Sequence, residues 1–222
     1  EGASSAKKKG KKKSRASDEE SDDEGTKAKP SKGCKLPDGN ISADFTVPKG
    51  CKLTVKESVL VNEGAKFVLE PGATLAFAPK THLFIEHGSL VAKGTEEDPI
   101  TFTSANKSRA AGDWEGIVFG EKVMAGTVLH HVVVEYAGAE GYRHGALAFY
   151  GASPAGRVSV TDSIIRNVSH AAVHHEEPES PFAKFEGNVF SEVDGVAFEI
   201  DANVLGSIGR NKLGGALVHV RG

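Results

Sequence analysis

Residues 64–119 read GAKFVLEPGATLAFAPKTHLFIEHGSLVAKGTEEDPITFTSANKSRAAGDWEGIVF. Short apolar runs recur in this stretch: Phe67-Val68-Leu69, Thr74-Leu75-Ala76-Phe77, Leu83-Phe84-Ile85, Ser89-Leu90-Val91-Ala92, Ile100-Thr101-Phe102 and Gly116-Ile117-Val118-Phe119. Each is stopped by Gly, Pro, Asn or a charged cluster. Runs this short and this interrupted are strands rather than helices. Their Val, Ile, Phe and Thr content suits a pleated, half-buried surface. The even spacing predicts turns of a solenoid, not hairpins.

Working outward, the pattern continues past Phe119 with looser spacing. Gly145-Ala146-Leu147-Ala148, Ala171-Ala172-Val173, Gly195-Val196-Ala197-Phe198 and Gly215-Ala216-Leu217-Val218 read as one position repeated, with separations of 26, 24 and 20 residues. A second set precedes them: Val132–Tyr136, Ser163–Asn167, Asn188–Ser191 and Asn211–Leu213. Each coil thus has an apolar strand, a turn with Asn or Gly, and a second strand opening on a small residue that permits a sharp corner. A repeat of this length cannot bury its own apolar side, so coils stack and pair with the coils above and below. Residues 34–222 are predicted to form a single all-β domain, a right-handed parallel β-helix of about eight coils. Its axis is roughly 40 Å at a strand spacing of about 4.8 Å.

Residues 1–33 differ in kind. Lys7–Lys13 is a lysine run broken only by Gly10, and the acidic block Asp18–Glu24 follows it. No Val, Ile, Leu, Met, Phe, Trp, Tyr or Cys occurs before Cys34. Such a segment cannot offset its ordering entropy by burial and is expected to be a disordered charged tether. A solvated spacer, an anionic-membrane contact and a nucleic-acid patch are its three readings. The adjacent acidic block weakens the last two. The tail holds ten basic and seven acidic residues; with a net charge of −3 for the whole chain, the remainder carries −6. That remainder offers no basic stripe for a phosphate backbone, so no nucleic-acid partner is expected. No run of about 18 apolar residues marks a transmembrane helix, and no signal peptide is visible.

Cys34 and Cys51 are the only cysteines, and each sits in Gly-Cys-Lys-Leu. The duplication suggests equivalent positions on neighbouring coils, within bridging distance. A disulfide is favoured over two buried thiols, and with it an oxidising compartment. A pair without Cys-x-x-Cys spacing makes a poor zinc site.

The runs Leu69-Glu70-Pro71-Gly72-Ala73-Thr74-Leu75, Gly88–Thr95, Pro99–Ser104 and Gly112-Asp113-Trp114-Glu115-Gly116-Ile117 resemble the N-terminal coils of bacterial secreted right-handed parallel β-helix proteins. These are pectate-lyase-like solenoids found as surface proteins or lipoproteins. The resemblance covers about residues 53–220. It implies the fold and an extracytoplasmic setting: periplasm, outer-membrane surface or secreted. A charged spacer such as residues 1–33 would follow a lipidated cysteine, which makes an N-terminal lipid anchor the one expected membrane contact. The resemblance implies no single activity, because the family is functionally mixed.

The residues themselves carry weaker site signals. Pro71-Gly72 is a turn, and Trp114 reads as a core residue filling a wide corner. The excursions at 104–112, 137–144 and 176–181 are candidate ligand-binding loops on one face, with Ser104, Asn106, Arg109, Tyr142, Arg143 and His144 as candidate contacts. No catalytic residue is assigned. Asp194, Glu199 and Asp201 are the carboxylates an enzyme would use, since glycoside hydrolysis needs a pair roughly 5–10 Å apart. Aligning the corner motifs stacks Phe149, His174, Glu199 and His219 on an outward column. A His174–Glu199–His219 column suggests a metal. The two His would however lie roughly 9–10 Å apart, two coils away, whereas zinc needs both nitrogens at about 2.1 Å. A surface ladder is the expected outcome, with no metal and no cofactor. Asn40, Asn106 and Asn167 lie in Asn-x-Ser patterns that bear on glycosylation only in a eukaryotic source.

The reading favoured is a non-catalytic extracytoplasmic scaffold or binding module for a glycan or a cell-envelope protein. The alternative is a polysaccharide lyase or glycoside hydrolase. Val218–Gly222 ends on a strand without an amphipathic cap, which predicts end-to-end self-association or capping by a partner.

Overall fold

The computed structural model describes residues 31–141, 144–150, 158–175 and 177–222. Its strands lie in three parallel ladders wrapped around one apolar interior. The first ladder holds β1 (Ser31–Lys32), β3 (Phe45–Val47), β6 (Ala65–Leu69), β9 (Gly88–Lys93), β12 (Thr127–His130), β15 (Val158–Thr161) and β17 (Phe182–Glu186). The second holds β4 (Lys52–Val55), β7 (Thr74–Phe77), β10 (Ile100–Ser104) and β13 (Val132–Glu135). The third holds β2 (Asn40–Ile41), β5 (Val59–Val61), β8 (His82–Ile85), β11 (Gly116–Phe119), β14 (Leu147–Phe149) and β19 (Leu217–Arg221). The long strands β16 (Ile164–His175) and β18 (Val189–Asp201) run through both the second and third ladders, which join there. A 3₁₀ turn, Ala202–Ser207, opens the last coil.

This is the parallel β-helix expected, all-β and built of coils. Each of the six runs quoted from residues 64–119 lies in a strand. Three strands per coil replace the two read from the sequence. The missed ones include β12, β15 and β17, four- or five-residue strands in which no more than two apolar residues are consecutive. Among the described residues, the first paired are Ser31 and Lys32, against Phe45 and Thr46.

Strand alternation builds the core. Val59, Leu83, Ile117, Leu147, Val173, Phe198 and Val218 form one inward column of the third ladder. Val61, Ile85, Phe119, Phe149, His175, Ile200 and Val220 form the next. Phe149 therefore does not share the outward column of His174, as the motif alignment expected. Ala148 occupies it, and Phe149 turns inward to stack on Phe119 at 4.8 Å between ring centroids. The cause is a one-residue offset between the coils at Gly145 and His170, and one residue of slip exchanges the two faces. Trp114 is fully buried, as expected. It stacks on Phe77 at 4.2 Å and donates its indole N–H to the Glu135 carbonyl at 2.9 Å.

Coils are also stitched at the corner before the second ladder. Val132 N–H donates to Ser163 Oγ, Ser163 N–H to Asn188 Oδ1 and Asn188 N–H to Asn211 Oδ1, at 3.1, 3.0 and 2.9 Å. Each side-chain oxygen thus satisfies a main-chain donor of the preceding coil at a bend where the strand ladder cannot. At the other end the Cys34–Cys51 disulfide joins the first coils, with 5.7 Å between Cα atoms. The expected pairing is present.

Candidate functional site

The outward column of the third ladder reads Leu60, Phe84, Val118, Ala148, His174, Glu199 and His219. Over its first half runs a groove of about 700 Å³ lined by Ser58, Leu60, His82, Phe84, Glu86, Gly120, Glu121, Lys122, Tyr150 and Glu177. The alternation of β5 and β8 aims these side chains outward, because Val59, Val61, Leu83 and Ile85 are committed to the core. Leu60, Phe84 and Tyr150 give the groove an apolar and aromatic floor. Glu86, Glu121, Glu177 and Lys122 give it a polar rim. A Cβ at Gly120 would meet the Glu86 carboxylate and the edge of the Phe84 ring, so those side chains would have to shift.

Three coils contribute a polar column at one side of the groove. His82 Nδ1 lies 2.7 Å from Glu115 Oε2 and 3.3 Å from Ser58 Oγ, and His82 N–H donates to Ser58 Oγ. A nucleophile relay places the hydroxyl and the carboxylate on different ring nitrogens. Here both face Nδ1. The arrangement orients the imidazole.

Further along, His174 is covered rather than solvent-facing. Tyr150 stacks on it at 5.4 Å and His144 lies edge-on at 6.2 Å. Its Nδ1 is 3.0 Å from Glu199 Oε2, and His219 Nδ1 is 3.3 Å from Glu199 Oε1, which also accepts from Arg221. The sequence-expected column His174–Glu199–His219 is therefore present in register. Glu199 lies between the two imidazoles and ties them to Arg221. Among the described residues no group of three or more His, Cys, Asp or Glu is arranged to hold a metal ion. Burial alone would raise the Glu199 carboxyl. Hydrogen bonds from Arg221 and His174, with their charges, outweigh it and hold the group below its ordinary value.

Of the other carboxylates of the enzyme reading, Asp201 lies two residues beyond Glu199 on the same face of β18. Asp194 is exposed, and Asp201 caps the 3₁₀ turn by accepting from Asn203 N–H at 2.8 Å. Of the loop candidates, Ser104, Asn106 and Arg109 fall on the second ladder, away from the groove. Ser104 is fully buried, donates to Asp113 Oδ2 at 2.6 Å and accepts from Asn106 N–H at 3.0 Å, so it closes its own loop. Burial opposes the ionised Asp113, but bonds from Ser104, the Ala110 N–H and Asn106, with Arg109 nearby, lower its carboxyl overall. Arg109 lies over the Tyr136 ring at 5.8 Å. Beside it, buried Glu135 accepts from Thr103 at 2.8 Å and from Arg166 Nε and Nη2 at 2.9 and 2.7 Å. His144 does reach the groove side, where its N–H donates to the Tyr150 hydroxyl at 3.1 Å. Tyr142 and Arg143 lie outside the described residues. The sequence reading put the three excursions on one face; instead those at 104–112 and 137–144 lie between strands of the second and third ladders, and that at 176–181 lies between strands of the third and first. The groove residues went unread, although the alternation His82-Leu83-Phe84-Ile85 places an imidazole and a ring outward.

A family model described as a pectate-lyase like beta helix domain matches residues 39–140, the coils that carry most of the groove floor. Protein bark beetle of Drosophila melanogaster is 33% identical over 72 residues, which are 32% of this chain and 2% of that protein. The chain thus spans a small fraction of the length of that relative. No solved structure matches significantly. These likenesses fit a carbohydrate-related scaffold or enzyme. The disulfide and the domain match are consistent with an extracellular location. The curated relative is a fly protein, so this likeness does not point to a bacterial source.

Proposed function

We propose that the protein is a non-catalytic, extracytoplasmic binding module that holds a glycan in the groove over β5, β8 and β11. One observation carries this reading: a groove of about 700 Å³ whose floor is Leu60, Phe84 and Tyr150 and whose rim is charged. Ring faces and aliphatic carbons pack against the apolar face of a sugar, while carboxylates accept from its hydroxyls. The shared use of His82 Nδ1 by Ser58 and Glu115 favours holding over chemistry. In this reading residues 1–33 stand the module off from a lipid-anchored or secreted setting, in the periplasm or on the outer-membrane surface. An envelope protein is the second ligand class.

The test is a screen of residues 31–222 against an array of defined neutral and acidic oligosaccharides, repeated with Phe84→Ala. Loss of one packed ring is expected to weaken binding about tenfold, since roughly 1.4 kcal/mol is a factor of ten. Binding unaffected by Phe84→Ala removes the groove from the account.

A further inference from the structure

The groove over the third ladder is anionic. Its rim sets Glu86, Glu121 and Glu177 against Lys122 alone, and the imidazole of His82 is engaged by Glu115. Among the described residues no ion pair neutralises these three rim glutamates. They recur along the solenoid axis. Glu86 follows β8, Glu121 follows β11 and Glu177 follows β16, each within two residues of the end of a third-ladder strand and each on a different coil. At Gly120 the rim meets the floor. The place a Cβ would take there is bordered by Glu86 Oε2 and by the Phe84 ring, the ring at 2.9 Å. A carboxylate and an aromatic ring thus flank one point of the groove.

We propose that the groove selects an oligosaccharide carrying free amino groups: a chain of amino sugars rather than of uronates or N-acetylated sugars. This ligand class rests on the glycan reading of the groove and narrows it. An ammonium is attracted both by carboxylates and by ring faces. A uronate instead meets three carboxylates and one ammonium, and like charges brought together on a binding surface repel. The net charge of −6 on the chain after residue 33 has the same sign. N-acetylation removes the charge from the sugar nitrogen, as it does from lysine, and leaves the rim glutamates without a cation to pair. A lysine-bearing polypeptide offers the same ammonium, but on a flexible stem that must be ordered on binding. In an amino sugar the nitrogen is fixed to the ring that packs on Leu60 and Phe84. Carboxylates repeated over several coils suit a ligand that repeats its charge from unit to unit.

The probes are a glucosamine hexamer, its fully N-acetylated counterpart and a galacturonate hexamer. Each is titrated by calorimetry into the full chain at mildly acidic pH, where the sugar amines are protonated. The glucosamine hexamer is expected to bind about tenfold tighter than the acetylated one, from ion pairs and a cation–π contact at a partly exposed site. The galacturonate hexamer is expected to bind more weakly than both. The tail before Cys34 has an acidic block of its own, so groove variants decide where the preference arises. Glu86→Gln, checked for an unchanged thermal melt, is expected to cut the preference for glucosamine over its acetylated form by about threefold or more. Phe84→Ala is expected to weaken both. A preference untouched by Glu86→Gln, or equal or tighter binding of either other hexamer, overturns the amino-sugar assignment and leaves a glycan groove in place. Binding of none of the three hexamers overturns the glycan reading with it. A hexalysine peptide that binds tighter than the glucosamine hexamer, and is weakened by Phe84→Ala, also overturns the assignment, because a polypeptide is then the better occupant.

Discussion

Asn188 is fully buried and uses its amide at both ends, accepting from Ser163 N–H and donating to the Val160 carbonyl at 2.9 Å. Asn188→Ala leaves a donor and an acceptor without partners in an apolar corner, each costing about 1–3 kcal/mol. A fall of roughly 2–4 kcal/mol in urea-unfolding free energy is expected. A change under about 0.5 kcal/mol would mean that water replaces the amide. Gly195 makes a steric prediction. At φ 141°, a Cβ there meets the His170 carbonyl of the coil before. Gly195→Ala should lower the melting temperature clearly, whereas the same change at Gly206, where nothing is near, should not. Glu199 adds a pH dependence. Its carboxyl is lowered from 4.5 in the fold, so the stability it contributes is complete above that value. It is lost as pH falls through the lower folded value. Glu199→Gln should reduce stability near neutral pH and flatten the acid limb of the pH–stability curve, read as urea midpoints between about pH 7 and pH 3.

At the scale of strands and coils, stability is a sum of neighbours. The Cys34–Cys51 bridge closes a loop of sequence separation 17 at one end. In the chain-entropy model such a loop contributes about 3 kcal/mol. Cys34→Ser with Cys51→Ser should therefore fray the first two coils and leave the centre intact. Hydrogen exchange checks it: β2 to β5 should lose protection while β10 and β13 keep theirs, and uniform loss across the ladders would contradict the account. The same scale explains what could be read beforehand. β7 and β11 were legible because their apolar residues fill whole strands between turn residues. β12, β15 and β17 were not, because Thr127, Ser159 and Lys184 break the apolar signal with polar residues. Register was legible from His170 to His219, where corner motifs repeat, and slipped at Gly145, where the preceding excursion hides the count. The column of His174, Glu199 and His219 was visible for that reason. Its cover by Tyr150 was not, because Tyr150 is the diagonal neighbour of His174, two residues past Ala148 on the adjacent strand, and the slip at Gly145 misplaces that pair.

For the whole molecule, the third ladder carries an aromatic-floored groove near the first coils and the His174–Glu199–His219 column further along. The groove positions Leu60, Phe84 and Tyr150 on rigid strands and the residue that follows one, which favours a preformed site. A preformed site loses little ordering entropy on binding. The claim at the centre is that this groove holds a glycan and leaves it intact. The direct measurement is mass spectrometry of oligosaccharides recovered after prolonged incubation with the protein, alongside calorimetric titration of the same sugars. The account predicts saturable binding, weakened by Phe84→Ala, with every recovered sugar at its starting mass. Shortened sugars, or a mass change from bond cleavage that Glu86→Gln or Glu121→Gln abolishes, would contradict it and make the groove an active site.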